Sequence, residues 1–189
     1  MTTGNQREMA RDAILAAAIA VVESAQTSAV GIDAIAGAAE VDVDEASAIF
    51  SSVDELLVEA ALRMCAHDLR LEMIAQTQGA PTVSAYAQHF ARRRVFYRAM
   101  RIGPVAAMLD ERMAAVMAPL ISVQIQTLVG ARISDDQLEQ LTADLTAESF
   151  AVTNQWILDS AESAGPESLY LRLEAIVLRG LDEVGNSRA

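Results

Sequence analysis

An all-α fold of about nine helices is what this chain predicts, on three observations. Hydrophobic residues make up 52% of the 189 but aromatics only 4%, with few glycines and prolines, a composition that favours helices. Apolar residues recur at helical spacing along most of the length. Polar or Gly/Pro breaks divide the chain at SAQTSAVG, Gly79-Ala80-Pro81, Gly103-Pro104 and Gly165-Pro166, with no internal repeat and no credible strand pair.

Residues 7–25 place Ile14, Leu15, Ala18, Val21 and Val22 on one stripe, a first amphipathic helix. Residues 32–39 form a short second helix with Ile32, Ile35, Ala36 and Ala39 inward. After a tight turn at Val41, Asp42 is placed to cap a third helix that runs to about Phe50. Glu45, three residues on, completes a capping-box pattern. Ser52 or Asp54 caps a long fourth helix reaching about Gln78, with Leu56, Leu57, Ala60, Ala61, Met64 and Leu71 along it. Residues 82–101 are helical, a short segment ends near Leu109, and another helix covers about 111–130. Ser134 starts a long helix to about Ser163, and Gly165-Pro166 starts the last, which ends near Val184.

Composition also excludes function classes. Cys65 is the only cysteine, so no intrachain disulfide forms, which suits the cytoplasm. Cys65 and His67 have no companion base or nucleophile in the sequence, so no chemical role is expected of them. With His67 and His89 the only histidines, no metal cluster of familiar spacing can be assembled and no cofactor is implied. No nucleophile elbow or glycine-rich phosphate loop is present, so catalysis is not expected. The N-terminus lacks the basic-then-apolar order of a secretory signal, and no unbroken apolar run approaches about 20 residues. A cytoplasmic protein without a membrane partner is therefore expected.

Charge is unevenly distributed. The net charge is −12 and all fourteen cations are arginines. Residues 1–58 hold two arginines, Arg7 and Arg11, against ten carboxylates, a balance of −8 that leaves −4 for the rest. Glu40, Asp42, Asp44 and Glu45 concentrate this acidity in EVDVDEASAIF, from the turn into the third helix.

Three short helices with a tight turn between the second and third make a helix-turn-helix pattern. GIDAIAGAAEVDVDEASAIFSSVDELL, residues 31–57, resembles without gaps the motif of the tetracycline-repressor (TetR) family of transcriptional regulators. The hydrophobic frame of that motif is kept in Ile32, Ile35, Ala36, Ala39, Val41, Phe50, Leu56 and Leu57. HFARRRVFYRAMRIGP, residues 89–104, also looks like the fifth helix of the family's ligand-binding body. The resemblance implies a DNA-reading head at residues 1–52 and a ligand-binding and dimerisation domain at 53–189. It further implies a homodimer paired through its last two long helices, placing two heads on successive major grooves. Leu141, Leu145, Phe150 and Ile157 in one helix and Leu173, Ile176 and Val177 in the other are the expected interface.

The contact positions of the motif are altered. Where the family has a turn glycine stands Glu40, and its small Gly-Thr pair is Asp44 and Glu45. Its phosphate-contacting Tyr is Ser47, the polar residue before Phe50 is Ile49, and the Lys that follows is Val53. Asp42, Val43, Asp44, Glu45, Ser47, Ile49 and Val53 are thus the DNA-contact equivalents. Specific DNA binders commonly neutralise about 6–10 phosphates, and carboxylates facing the groove oppose that. The expectation is weak or absent DNA binding, or binding only through a partner's head. The acidic run reads either as a solvated face that drifted after contact was lost or as a surface for a basic partner.

In the body, Arg92, Arg93, Arg94, Arg98 and Arg101 form the one basic cluster. They read as a site for an anionic ligand or as ion pairs with acids of the head or fourth helix. Met64, Arg94, Tyr97, Arg101, Met108, Met113, Met117, Gln124 and Trp156 are candidates for a largely apolar small-molecule pocket, with ordinary core packing the alternative for the methionines.

Overall fold

The computed structural model describes residues 3–75, 81–129, 133–159 and 165–186. Those residues form nine helices and no strand, so the fold is all-α. In order these are α1 (Thr3–Ala25), α2 (Ile32–Ala38), α3 (Val43–Ile49), α4 (Val53–Ala75), α5 (Pro81–Arg92), α6 (Arg94–Ile102), α7 (Ala106–Val129), α8 (Asp135–Leu158) and α9 (Pro166–Asn186).

Contacts divide the chain into two compact units, Met1–Asp68 with Arg93–Leu109, and Leu69–Arg92 with Asp110–Ala189. The division does not follow the 52/53 boundary expected from sequence, because most of α4 and all of α6 join the head. In this first unit α1 packs on α2, α3 and α6. Ile14, Ala18 and Val22 of α1, Ile35 and Ala36 of α2, and Ala46 of α3 are fully buried with Leu56 and Leu57 of α4 and Phe96, Tyr97 and Met100 of α6. The motif's inward frame therefore serves as core. Ile32, Ala39 and Val41 are only half-buried at its rim.

In the second unit α9 packs on both α5 and α8. α8 starts with a full capping box. Ser134 Oγ accepts from the Gln137 amide at 3.3 Å, and Gln137 Oε1 accepts from the Ser134 amide at 3.0 Å. Gly180 lets α8 and α9 close on each other. A Cβ there would stand 3.0 Å from Leu145 Cδ2 and 3.1 Å from Leu141 Cδ1. At the other end, Trp156 Nε1 donates to Ser168 Oγ at 2.9 Å, and that hydroxyl donates to the Gly165 carbonyl at 2.9 Å. The last turns of α8 are thereby tied to the start of α9.

Two breaks differ from those expected. Residues 82–101 do not form one helix, since Arg93 leaves helical geometry at φ −105° and ψ 19°. No glycine or proline marks the place. Conversely, the segment before Leu109 and the helix after it are continuous in α7. Pro119 sits inside α7 and cannot donate to the Ala115 carbonyl. Both residues are exposed, so water can satisfy that oxygen. α7 is also long and apolar enough, by length and composition, to cross a membrane, and 22% of its most apolar window is buried. Asp110, Glu111 and Arg112 interrupt the apolar run near its start.

Candidate nucleic-acid interface and ligand clefts

The turn between α2 and α3 is built as the motif requires, on an unsuitable residue. Glu40 has φ 56°, the left-handed region where a Cβ is strained and glycine is not. Asp42 then takes the N-cap position with extended geometry (φ −64°, ψ 140°), its Oδ1 accepting from the Asp44 amide at 2.8 Å. The cap thus closes on Asp44 rather than on Glu45. Ala46 is fully buried and Phe50 nearly so, which fixes which face of α3 is outward.

That outward face carries Asp42, Val43, Asp44, Glu45 and Ser47, all exposed, with Glu40 exposed beside them in the turn. Ile49 and Val53 are half-buried at its edge. Asp44 and Glu45 lie in the first turn of α3, where they offset the positive end of the helix dipole that would otherwise attract phosphate.

The two arginines of this region are engaged inside the unit. Arg7 Nη2 donates to the Ala48 carbonyl at 3.2 Å, at the C-terminal end of α3. Arg11 Nε donates to Glu59 Oε1 at 3.0 Å, its Nη2 reaches Glu59 Oε2, and its guanidinium lies 4.7 Å from the Phe50 ring centroid. Arg63 bridges Asp12 and Glu59, extending the network between α1 and α4. The cations here brace α3 against α1 and α4.

The arginine cluster is divided between the two units. Arg93, Arg94, Arg98 and Arg101 belong to the first unit and Arg92 to the second. Arg93 pairs with Glu23 at 3.9 Å and Asp68 at 3.5 Å, the reading of ion pairs with α1 and α4. Arg94 and Arg101 are half-buried.

The nine pocket candidates are divided in the same way. Met64, Arg94, Tyr97, Arg101 and Met108 lie in the first unit, and Met113, Met117, Gln124 and Trp156 in the second. Tyr97 is a core residue, fully buried, its hydroxyl reaching the Ala61 carbonyl at 3.5 Å. Met64 and Met113 are core as well, and Trp156 is buried with its N–H already used. Met108 is partly exposed and Gln124 half-buried. Of the nine, Met117 lines a described cavity, with Val83, Tyr86, Ile121, Phe150 and Leu173. Its volume is about 70 Å³, well short of the roughly 300 Å³ that small-molecule pockets start from.

A larger space lies elsewhere in the second unit. A surface cleft of about 580 Å³ runs between α5 and α9, lined by Ser84, Ala87, Gln88, Ala91, Arg92, Pro166, Glu167 and Tyr170. Ser84, Ala87 and Ala91 of α5 recur at helical spacing and are short, which lowers the floor. Periodicity alone did not single them out, because alanines at that spacing look like ordinary packing. Gln88 Nε2 donates to Ser84 Oγ at 3.3 Å, and the Tyr170 phenol donates to Glu174, which raises its ionisation above the ordinary tyrosine range.

The interface residues expected from sequence lie mostly on the inward faces of α8 and α9. Leu141, Leu145, Phe150, Ile157, Leu173 and Ile176 are all at most 9% exposed within one protomer, and Val177 is half-buried. They hold α8 and α9 in their own unit and have little surface left for a partner. The apolar residues facing out on these helices are Leu158 at 42%, Leu171 at 56% and Leu178 at 56%, with Ala147, Ala151 and Ala175 exposed on the same helices.

Cys65 is buried in the first unit. Burial, helped by the nearby Asp68 charge and opposed by a hydrogen bond with Tyr97, pushes its thiol up to about 12. It is held as an unreactive thiol. Among the described residues, no three potential metal ligands come together. No protein-family model matches the chain, and no curated protein matches it either.

Proposed function

We propose that the chain is a ligand-responsive regulator of the TetR type whose head does not bind an operator on its own. The observation that carries this reading is the outward face of α3. It presents Asp42, Asp44 and Glu45, while Arg7 and Arg11 are turned to Ala48 and Glu59. DNA affinity rests on neutralised phosphates, and here both local cations are spent on the fold. The helix-turn-helix supplies a frame without the charge that would hold it to a duplex. Regulation then works through weak or partner-assisted DNA contact, or through sequestering a ligand or protein.

A second reading, a homodimer that binds no DNA, is favoured by the outward leucines of α8 and α9. In this protein the pairing surface is Leu158, Leu171 and Leu178 with the alanines between them, rather than the inward residues of the same helices. A self-complementary face of this kind suits a two-fold dimer. Titration against DNA from its own promoter region, with a scrambled duplex as control, tests the first reading, and sedimentation of the protein tests the second. We infer that the protein works in the cytoplasm.

A further inference from the structure

We propose that the α5–α9 cleft is a binding site for a small amphipathic molecule with one flat apolar part and both a cationic and an anionic group, an aromatic amino acid being the simplest example. The inference deepens the ligand half of the reading above and does not depend on whether the head touches DNA. The cleft's volume, about 580 Å³, falls in the range of roughly 300–1,000 Å³ found for small-molecule sites. The cavity at Met117, about 70 Å³, does not.

Its lining sets the chemistry. Ala87 and Ala91 make a shallow apolar floor on α5, and Pro166 and Tyr170 form the facing wall on α9, so a ring can lie between two helices. Arg92 and Glu167 line the same cleft with opposite charges. A simple anion would meet Glu167, a simple cation would meet Arg92, and a molecule carrying both signs meets each with its complement. Gln88 and Ser84 add an amide and a hydroxyl along one side. The wall is held in place beforehand, because Ser168, one turn into α9, is bonded to Trp156 and to the Gly165 carbonyl. Since the charged groups are exposed, affinity is modest, with a Kd on the order of 0.1–1 mM.

The same bonds supply a reporter. Trp156 is the only tryptophan, and its indole N–H rests on the helix end that forms the wall. The experiment titrates the whole protein with phenylalanine, which is silent at the tryptophan excitation edge, and reads Trp156 fluorescence with calorimetry beside it. Phenethylamine and 3-phenylpropionate, each lacking one charge, form the comparison arms. The expected result is saturable binding of phenylalanine, weakened about 3- to 5-fold in R92Q and in E167Q and abolished in Ala91→Leu, which fills the floor. Each single-charge analogue binds more weakly than phenylalanine. Arg92 and Glu167 are surface residues, so these two variants keep the test valid if Ala91→Leu misfolds. No saturable binding up to 20-fold above about 1 mM, or binding that R92Q and E167Q leave unchanged, overturns the assignment. Neither outcome bears on DNA binding, which is measured separately.

Discussion

Arg11 stands over the Phe50 ring at 4.7 Å and forks onto Glu59, joining the end of α3 to both α1 and α4. A cation in a helix-turn-helix region is thus committed to holding the third helix rather than to a phosphate. Arg11→Ala is expected to cost about 1–2 kcal/mol, from a cation–π contact and a partly exposed ion pair. Arg11→Lys recovers less than half of this, because an ammonium cannot fork onto a carboxylate. Urea denaturation of the two variants checks it, and unchanged midpoints would show that the contact contributes nothing.

Glu40 is the second test of the head. Its φ of 56° stores strain that glycine would not have. Glu40→Gly is therefore expected to stabilise the protein by about 0.5–1 kcal/mol, or roughly 1–4 °C in Tm for a chain of this size. Calorimetry that shows a lower Tm would mean that the Glu40 side chain contributes more than its backbone costs.

Cys65 gives a pH dependence. Its folded-state thiol titrates at about 12 against 9.0 when unperturbed. The folded state therefore keeps a proton that the unfolded chain loses between those values, and stability falls as pH rises through that window. The slope approaches about 1.4 kcal/mol per pH unit, and below pH ~9 this group contributes none. Cys65→Ala, although less stable overall, should lack this part of the alkaline slope. A thiol reagent at pH 8 should label the native protein only on unfolding. Rapid labelling of the folded protein would refute the burial argument.

The outward leucines of α9 are expected to hold a dimer. Leu171→Asp with Leu178→Asp should leave a folded monomer by sedimentation and circular dichroism, whereas Leu145→Asp should unfold the protein. An unaltered dimer in the double variant would move the interface elsewhere.

Much of the head was legible because motif offsets fix both conformation and exposure. The Glu40 turn, the Asp42 cap, and inward Phe50 against outward Asp44 and Glu45 follow from the 31–57 match, whereas the buried Ala46 was not singled out. The body was less so. α9 carries two apolar stripes, Leu169, Leu173 and Ile176 inward and Leu171 and Leu178 outward, and helical spacing does not say which meets a partner. The break at Arg93 has no glycine or proline to announce it. Its side chain pairs with Glu23 and Asp68, contacts about 70 and 25 residues away in sequence. Pocket and core roles of the methionine and aromatic candidates are hard to separate for a similar reason, since core and cavity walls share the same residue types.

Whether α3 reads DNA is decided by titrating the protein against its own promoter DNA, at low and at physiological salt, beside a scrambled duplex. No sequence-selective binding is expected at either salt. Asp44→Lys with Glu45→Lys is expected to raise salt-sensitive, non-selective affinity on the order of tenfold or more. Tight, selective binding by the unaltered protein at physiological salt would contradict the account and make the acidic α3 a working reader.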